Sequence, residues 1–120
     1  MDSLQASRIA GGNSAAGRRQ SDLYPTPPEV TVALMRFLNF PSGVSVWEPA
    51  AGDGDMADVI VQYAFPVYVT DIRDGTDFLK SCIDDAEWII TNPPFSLAEE
   101  FIRHAAELNK PFAMLLKAQY

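Results

Sequence analysis

Val44-Ser45-Val46-Trp47-Glu48-Pro49-Ala50-Ala51-Gly52-Asp53-Gly54-Asp55 sets a short apolar strand directly against a polar turn containing two glycines. Met56, Val59, Ile60 and Tyr63 follow at i, i+3, i+4 and i+7, the spacing of one helical face. Strand, turn and helix in this order open an α/β unit, in which a parallel neighbour is reached by a crossover.

The flanking segments continue the alternation. Before this unit, Ser21 to Pro28 is held extended, because each proline biases its predecessor away from helix. Thr26 then caps a helix with Pro27 in its first turn and Glu29 placed as in a capping box. Val30, Ala33, Leu34, Phe37 and Leu38 form its apolar stripe, and Asn39 with Phe40-Pro41-Ser42-Gly43 stops it. After the unit, Val67-Tyr68-Val69-Thr70 reads as a second strand ending at Asp71. Thr76 to Leu79 makes a very short strand, and Trp88 to Thr91 a further one. The span from Asp71 to Trp88 leaves little room for a full helix. Ser96 caps a helix from Leu97 to about Asn109, with Phe101, Ile102, Ala105 and Leu108 inward. Pro111 breaks it, and Phe112 to Leu116 makes a final buried strand. The fold expected is an open, mostly parallel sheet with helices on both faces.

At 120 residues, 48% of them hydrophobic, the chain can bury the core of one domain and is too short for two domains. Residues 1–20, rich in Ala, Ser and Gly, form a disordered tail, and 21–120 form the single domain. Arg18 and Arg19 in that tail could touch phosphate, although solvation is the commoner fate of such a pair. No apolar run reaches the roughly 18–20 residues of a membrane span, and no signal-peptide pattern opens the chain. The single Cys82 and the single His104 assemble neither a disulfide nor a metal site. A reducing, cytoplasmic setting follows. Sixteen acids against nine basic residues give a formal charge of −7, a poor match for a polyphosphate.

In an open parallel sheet, ligands bind beyond the carboxyl ends of the strands, at the point where strand order reverses. Every polar cluster of this chain falls at such an end: Glu48 to Asp55, Asp71, Asp77 and Asn92. Glycines in the first turn permit positive φ and close approach of backbone to a ligand. The pattern is not the full dinucleotide fingerprint and carries no phosphate-binding lysine, and the acids beside it would repel a phosphate. The turn suits a phosphate-free, cationic nucleoside with an amine and a sulfonium. It equally suits a plain strand-to-helix turn with capping acids. Asp71, about twenty residues beyond Glu48, stands where an acid accepts ribose hydroxyls in doubly wound sheets. It also stands where a turn before Asp74-Gly75 calls for an aspartate. Ile72 beside it offers a face for an adenine. Thr91-Asn92-Pro93-Pro94-Phe95 is a stiff, extended loop, since consecutive prolines fix φ and remove backbone donors. Its amide, carbonyl and aromatic ring suit the edge and face of a flat heterocycle carrying an amino group.

The ordered set Tyr24-Pro25-Thr26-Pro27-Pro28, Glu48-Pro49-Ala50-Ala51-Gly52-Asp53-Gly54, Asp71-Ile72, Asp77-Phe78 and Asn92-Pro93-Pro94-Phe95 resembles the amino-group DNA methyltransferases that use S-adenosylmethionine, N6-adenine branch, phage or prophage type. The resemblance runs from about Tyr24 to Tyr120. It implies a Rossmann-like class I methyltransferase fold and methyl transfer to the N6 amine of adenine in DNA, as in restriction-modification. The setting implied is a bacterial or phage-infected cell. Tyr24, Thr26 and Pro27 would flank the methionine end of the cofactor. Glu48, Pro49, Ala50, Asp53 and the Gly52 and Gly54 backbone would line its amino-acid moiety. Asp71 would hold the ribose, with Ile72, Asp77 and Phe78 at the adenine. Asn92 and the Pro93 carbonyl would accept the protons of the target amine, with Pro94 stiffening the loop and Phe95 stacking on a flipped base. No metal is implied.

Members of this family continue past the last strand into two more, including an antiparallel hairpin, and add a segment that reads DNA. On that comparison the C-terminal strands are missing, the domain is partial, and a partner chain would supply the remaining strands and the grip on DNA. Two further readings stay open: a non-catalytic S-adenosylmethionine-binding module or half of a split enzyme, and an RNA-adenine or protein-glutamine methyltransferase.

Overall fold

The structure is a computed structural model and describes residues 25–116. The tail expected over residues 1–20, with Arg18-Arg19, and the site residue Tyr24 lie outside the described residues. In chain order the elements are α1 (Pro28–Leu38), β1 (Val46–Glu48), α2 (Asp55–Ile60), β2 (Val67–Val69), β3 (Trp88–Thr91), α3 (Ala98–Glu107) and β4 (Phe112–Met114). The strands form one sheet in the order β2-β1-β3-β4, every pairing parallel. This α/β architecture is compatible with a Rossmann-like fold. The chain leaves β1 for β2 on one side and returns to β3 on the other, so the order reverses between β1 and β3.

Strand side chains alternate between faces, and the alternation builds two cores. Register sets Val46 opposite Trp88 and Trp47 opposite Ile89. Val46, Trp88 and Ile90 therefore look to one face, where Met35 of α1 and Met56 and Ile60 of α2 cover them. Trp47 and Ile89 look to the other, under Phe101 and Ala105 of α3 and under Phe78. Met35, Ile60, Ile89 and Ile90 are almost wholly buried, each contributing about 1.5–3 kcal/mol of transfer free energy. Helices thus cover both faces, as the alternation of elements predicts.

Several local expectations are corrected. The buried face of α1 is Thr31, Leu34, Met35 and Leu38, whereas Val30 is 40% exposed and Phe37 85% exposed. Both stripes have helical spacing; packing against α2 selects the one that brings in Met35, and the hydroxyl of Thr31 disguises it in sequence. Thr26 does not cap α1: Pro27 is the N-cap, with no side-chain cap bond. Likewise Leu97, not Ser96, precedes α3, after a single 3-10 turn at Phe95–Leu97. Thr76 to Leu79 is not a strand; Phe78–Lys80 is a 3-10 turn whose Leu79 N–H is taken by the carboxylate of Asp77. Together with a second 3-10 turn at Ile72–Asp74, it fills the span too short for a helix. β4 is half-buried along its length and not a fully buried strand.

Candidate functional site

Glu48, Asp71 and Asn92 all lie at the carboxyl ends of the strands, and hydrogen bonds knit their surroundings into one surface. Glu48 is the last residue of β1 and is buried. Its Oε2 accepts from the backbone N–H of Ala50 at 2.8 Å and from the hydroxyl of Thr91, the last residue of β3, at 2.6 Å. The contact spans the β1–β3 reversal. Burial pushes the Glu48 carboxyl up to about 7, against the two hydrogen bonds that lower it, and the nearby charge of Asp71 raises it further. A carboxyl in this condition is a ready partner for a cation.

The turn after β1 folds back as anticipated. Gly52 has φ +56° and Gly54 φ +95°, values that L side chains seldom adopt. Gly54 directly precedes α2, and its N–H donates to the carbonyl of Ala51 at 2.8 Å. The N–H of Gly52 donates to Oδ2 of Asp71 at 2.7 Å, fastening the turn to the tip of β2. Asp71 is buried, and its Oδ1 accepts from both the backbone N–H of Arg73 at 2.9 Å and its Nε–H at 3.2 Å. The Arg73 guanidinium continues across the turn to Asp53, with Nη2 3.9 Å from its Oδ1. Ile72 is 42% exposed beside this cluster.

The Asn92 loop leaves β3 in extended conformation, with Pro94 at φ −54° and ψ 138°. The Asn92 amide nitrogen donates to Oγ1 of Thr26 at 3.1 Å. Thr26, expected to cap a helix, is instead buried and orients the amide. Its neighbour Pro27 is exposed. Pro49 and Pro93 are buried, Ala50 and Pro94 half-buried, and Phe95 is 38% exposed.

Of the residues singled out in the sequence, Glu48 is bonded to Thr91, Asp71 to Gly52 and through Arg73 to Asp53, and Asn92 to Thr26, three groups at neighbouring strand ends. Phe78 is not among them. Its ring is 2% exposed and packs between Trp47 and Phe101, at centroid distances of 5.1 and 4.7 Å. It serves the core and offers no face to a ligand, because the 3-10 turn points it under α3. Asp77, next to it, accepts from the Leu79 N–H at 3.0 Å and so holds that turn. His104 packs edge-on against Phe78 and its Nε2 lies 2.9 Å from the Ser81 carbonyl, a structural role. Two contributors escaped sequence reasoning, Thr91 and Arg73. The signals were the position of Thr91 at the end of β3 and that of Arg73 two residues after a turn aspartate.

Among the described residues, no group of three or more His, Cys, Asp and Glu side chains could hold a metal ion. No helix of the described residues is long and apolar enough to cross a membrane. Comparison with known proteins gives no match to any family model, curated protein or solved structure.

Proposed function

We propose that this chain belongs to a class I methyltransferase that transfers a methyl group from S-adenosylmethionine to the N6 amine of adenine in DNA. The observation that carries the reading is the continuity of the strand tips. Glu48 reaches Thr91 across the reversal point, Asp71 is tied to the Gly52 turn, and Asn92 is oriented by Thr26.

The chemistry of this set fits the cofactor. Two buried carboxyls and no phosphate-binding lysine favour a cationic nucleoside without phosphates. When bound, S-adenosylmethionine supplies a methyl group already activated by its sulfonium. Glu48 and the turn backbone hold its amino-acid moiety, and Asp71 takes the ribose. Ile72 lies against the adenine, with Asp77 at its edge and the Phe78 side chain excluded by its burial. Asn92, with its amide nitrogen engaged by Thr26, turns its carbonyl oxygen to the role of acceptor. That oxygen and the Pro93 carbonyl accept the two protons of the target amine. An exocyclic adenine amine is a poor nucleophile because its lone pair is spread into the ring. Fixed acceptors favour the pyramidal geometry that localises the pair and stabilise the charge that develops on nitrogen. Positioning for in-line transfer supplies much of the remaining acceleration. Phe95, partly exposed, stacks on the flipped base. With a formal charge of −7, the grip on DNA falls to a basic partner chain.

Tritium transfer from labelled S-adenosylmethionine to unmethylated DNA tests the reading, with Asn92→Ala as control. Loss of the amide should lower the rate at least about a hundred-fold, the scale of removing one oriented transition-state group. Cofactor binding without transfer by the wild type would replace the enzyme with a binding module. An equal rate in the variant would remove Asn92 from the chemistry.

A further inference from the structure

We propose that Arg73 is a displaceable cap on Asp71, so that a nucleoside diol binds only when the guanidinium leaves; the inference rests on the nucleoside reading of the site. The count of lone pairs carries it. A carboxylate offers about four acceptor positions, two on each oxygen. On Asp71, Oδ2 uses one for the Gly52 N–H at 2.7 Å. Oδ1 uses both, for the Arg73 backbone N–H at 2.9 Å and for Nε–H at 3.2 Å. A vicinal diol that donates one hydroxyl to each oxygen needs an open position on both. Oδ2 has one and Oδ1 has none.

The backbone N–H of Arg73 is fixed by the turn it belongs to, Ile72–Asp74, which ends in Gly75. The Nε–H is not fixed in this way, because it sits on a side chain with several rotatable bonds. Only Nε–H can yield. The same side chain explains how little of the carboxylate is open. Asp71 has a side-chain exposure of 8% and Arg73 of 14%, and Nη2 lies 3.7 Å from where a Cβ on Gly52 would stand. The guanidinium therefore lies over the Gly52 turn and the Asp71 carboxylate, across the approach that a ribose would use. It also neutralises Asp71 in the free protein, and its second nitrogen faces Asp53.

A cap of this kind selects between ligands. A ligand with one ribose hydroxyl can use the open position on Oδ2 and leave Arg73 where it is. A ligand with the full diol gains a second charge-assisted bond only by displacing Nε–H. Binding then exchanges one donor for another, and the net gain is small until the arginine is removed.

The test is calorimetric titration of the full chain and of Arg73→Ala with S-adenosylhomocysteine and with its 2′-deoxy counterpart. The thioether carries no sulfonium and both compounds share the same amino-acid ammonium, so a change confined to the diol compound reports on the ribose and not on an exchange of cations. Arg73→Ala should bind S-adenosylhomocysteine about three- to ten-fold more tightly, the scale of one partly exposed ion pair, and the deoxy compound with unchanged affinity. Unchanged or weaker binding of the diol by the variant would overturn the cap while leaving the nucleoside reading intact. Equal tightening for both compounds would also overturn it, since a simple charge effect would then suffice. Binding by neither protein would overturn the nucleoside reading and the cap with it. A second measurement stands apart from the folding of the variant. In the wild type, the Arg73 Nε–H resonance should exchange slowly with water in the free protein and lose that protection on saturation. Protection that survives saturation would count against displacement.

Discussion

The two ends of the sheet differ in how completely their buried acids and other polar groups are answered. At the amino end, each is answered by a partner of the chain. Ser45, before β1, donates its N–H to Oε1 of Glu87 at 3.0 Å and its hydroxyl to the carbonyl of Asp85 at 2.8 Å. The same hydroxyl accepts from the Glu87 N–H at 2.9 Å. Lys110, before β4, donates to the carbonyls of Asp84 and Ala86. At the carboxyl end, Asp71 has Arg73, whereas Glu48 is buried with two hydrogen-bond donors and, among the described residues, no cation, and its carboxyl is pushed up to about 7. Mutual satisfaction is what structural polar groups show; buried acid without a counter-ion is what a site shows. The difference argues for function at the strand tips independently of any motif.

The largest effect should come from pH. The folded-state value of Glu48 lies above its ordinary 4.5, so the fold favours the protonated form. Between pH 4.5 and about 7 the native state holds a proton that the unfolded chain has released. The contribution to stability is therefore fully present below pH 4.5 and is lost as pH rises through about 7. A ligand ammonium group wants the opposite, because it pairs only with the ionised carboxyl. Affinity for S-adenosylmethionine should fall by up to about ten-fold for each unit below pH 7 and level off above it. Stability and affinity thus run against each other across one window. Glu48→Gln should flatten both curves, measured by thermal melts and by titration from pH 5 to 8. A variant that keeps the wild-type slopes would assign them to another group and erase the contrast between the two ends.

Ser45→Ala tests the other end. It removes the hydroxyl that donates to the Asp85 carbonyl and leaves that carbonyl without this donor, while the Glu87 N–H keeps the backbone carbonyl of residue 45 at 3.1 Å. The cost should be about 1–3 kcal/mol, read as a lower denaturation midpoint. Affinity for S-adenosylhomocysteine should stay at the wild-type value. A matching loss of affinity would mean that the amino end also governs the site, and the division of labour between the ends would fail.

The sequence disclosed much of this arrangement because strand and helix signals were strong where the core is made. Val46-Trp47, Ile89-Ile90 and the stripe Met56, Val59, Ile60 could be placed from periodicity alone, and the polar residues following them inherited their positions at the strand tips. The same reasoning failed where two patterns fit equally or where a side chain could serve two masters. Thr26 has the chemistry of a helix cap, yet it bonds a loop 66 residues away, a choice made by tertiary contact. Phe78 follows an acid at a strand-tip level, yet the turn it starts sends it inward. Arg73 was passed over because a lone arginine in a turn has no periodicity at all. Its role is set by distance to Asp71 and Gly52, which only folding determines.

The smallest effect concerns Thr31, whose hydroxyl is buried with no hydrogen-bond partner among the described residues. It lies one turn into α1, close in sequence to Thr26, and packs in the helical stripe with Met35. A hydroxyl stripped of water and left unanswered costs about 1–3 kcal/mol, offset in part by its methyl group's burial. Thr31→Val keeps the shape and the β-branch while replacing the hydroxyl by a methyl, so it should raise the denaturation midpoint by the equivalent of about 0.5–1 kcal/mol. No titrating group is changed, so the opposing pH slopes assigned to Glu48 should persist at their wild-type steepness. Destabilisation by the valine would mean that Thr31 does have a partner in solution. It would then join Ser45 among the satisfied groups, and the contrast carried by Glu48 at the strand tips would stand unchanged.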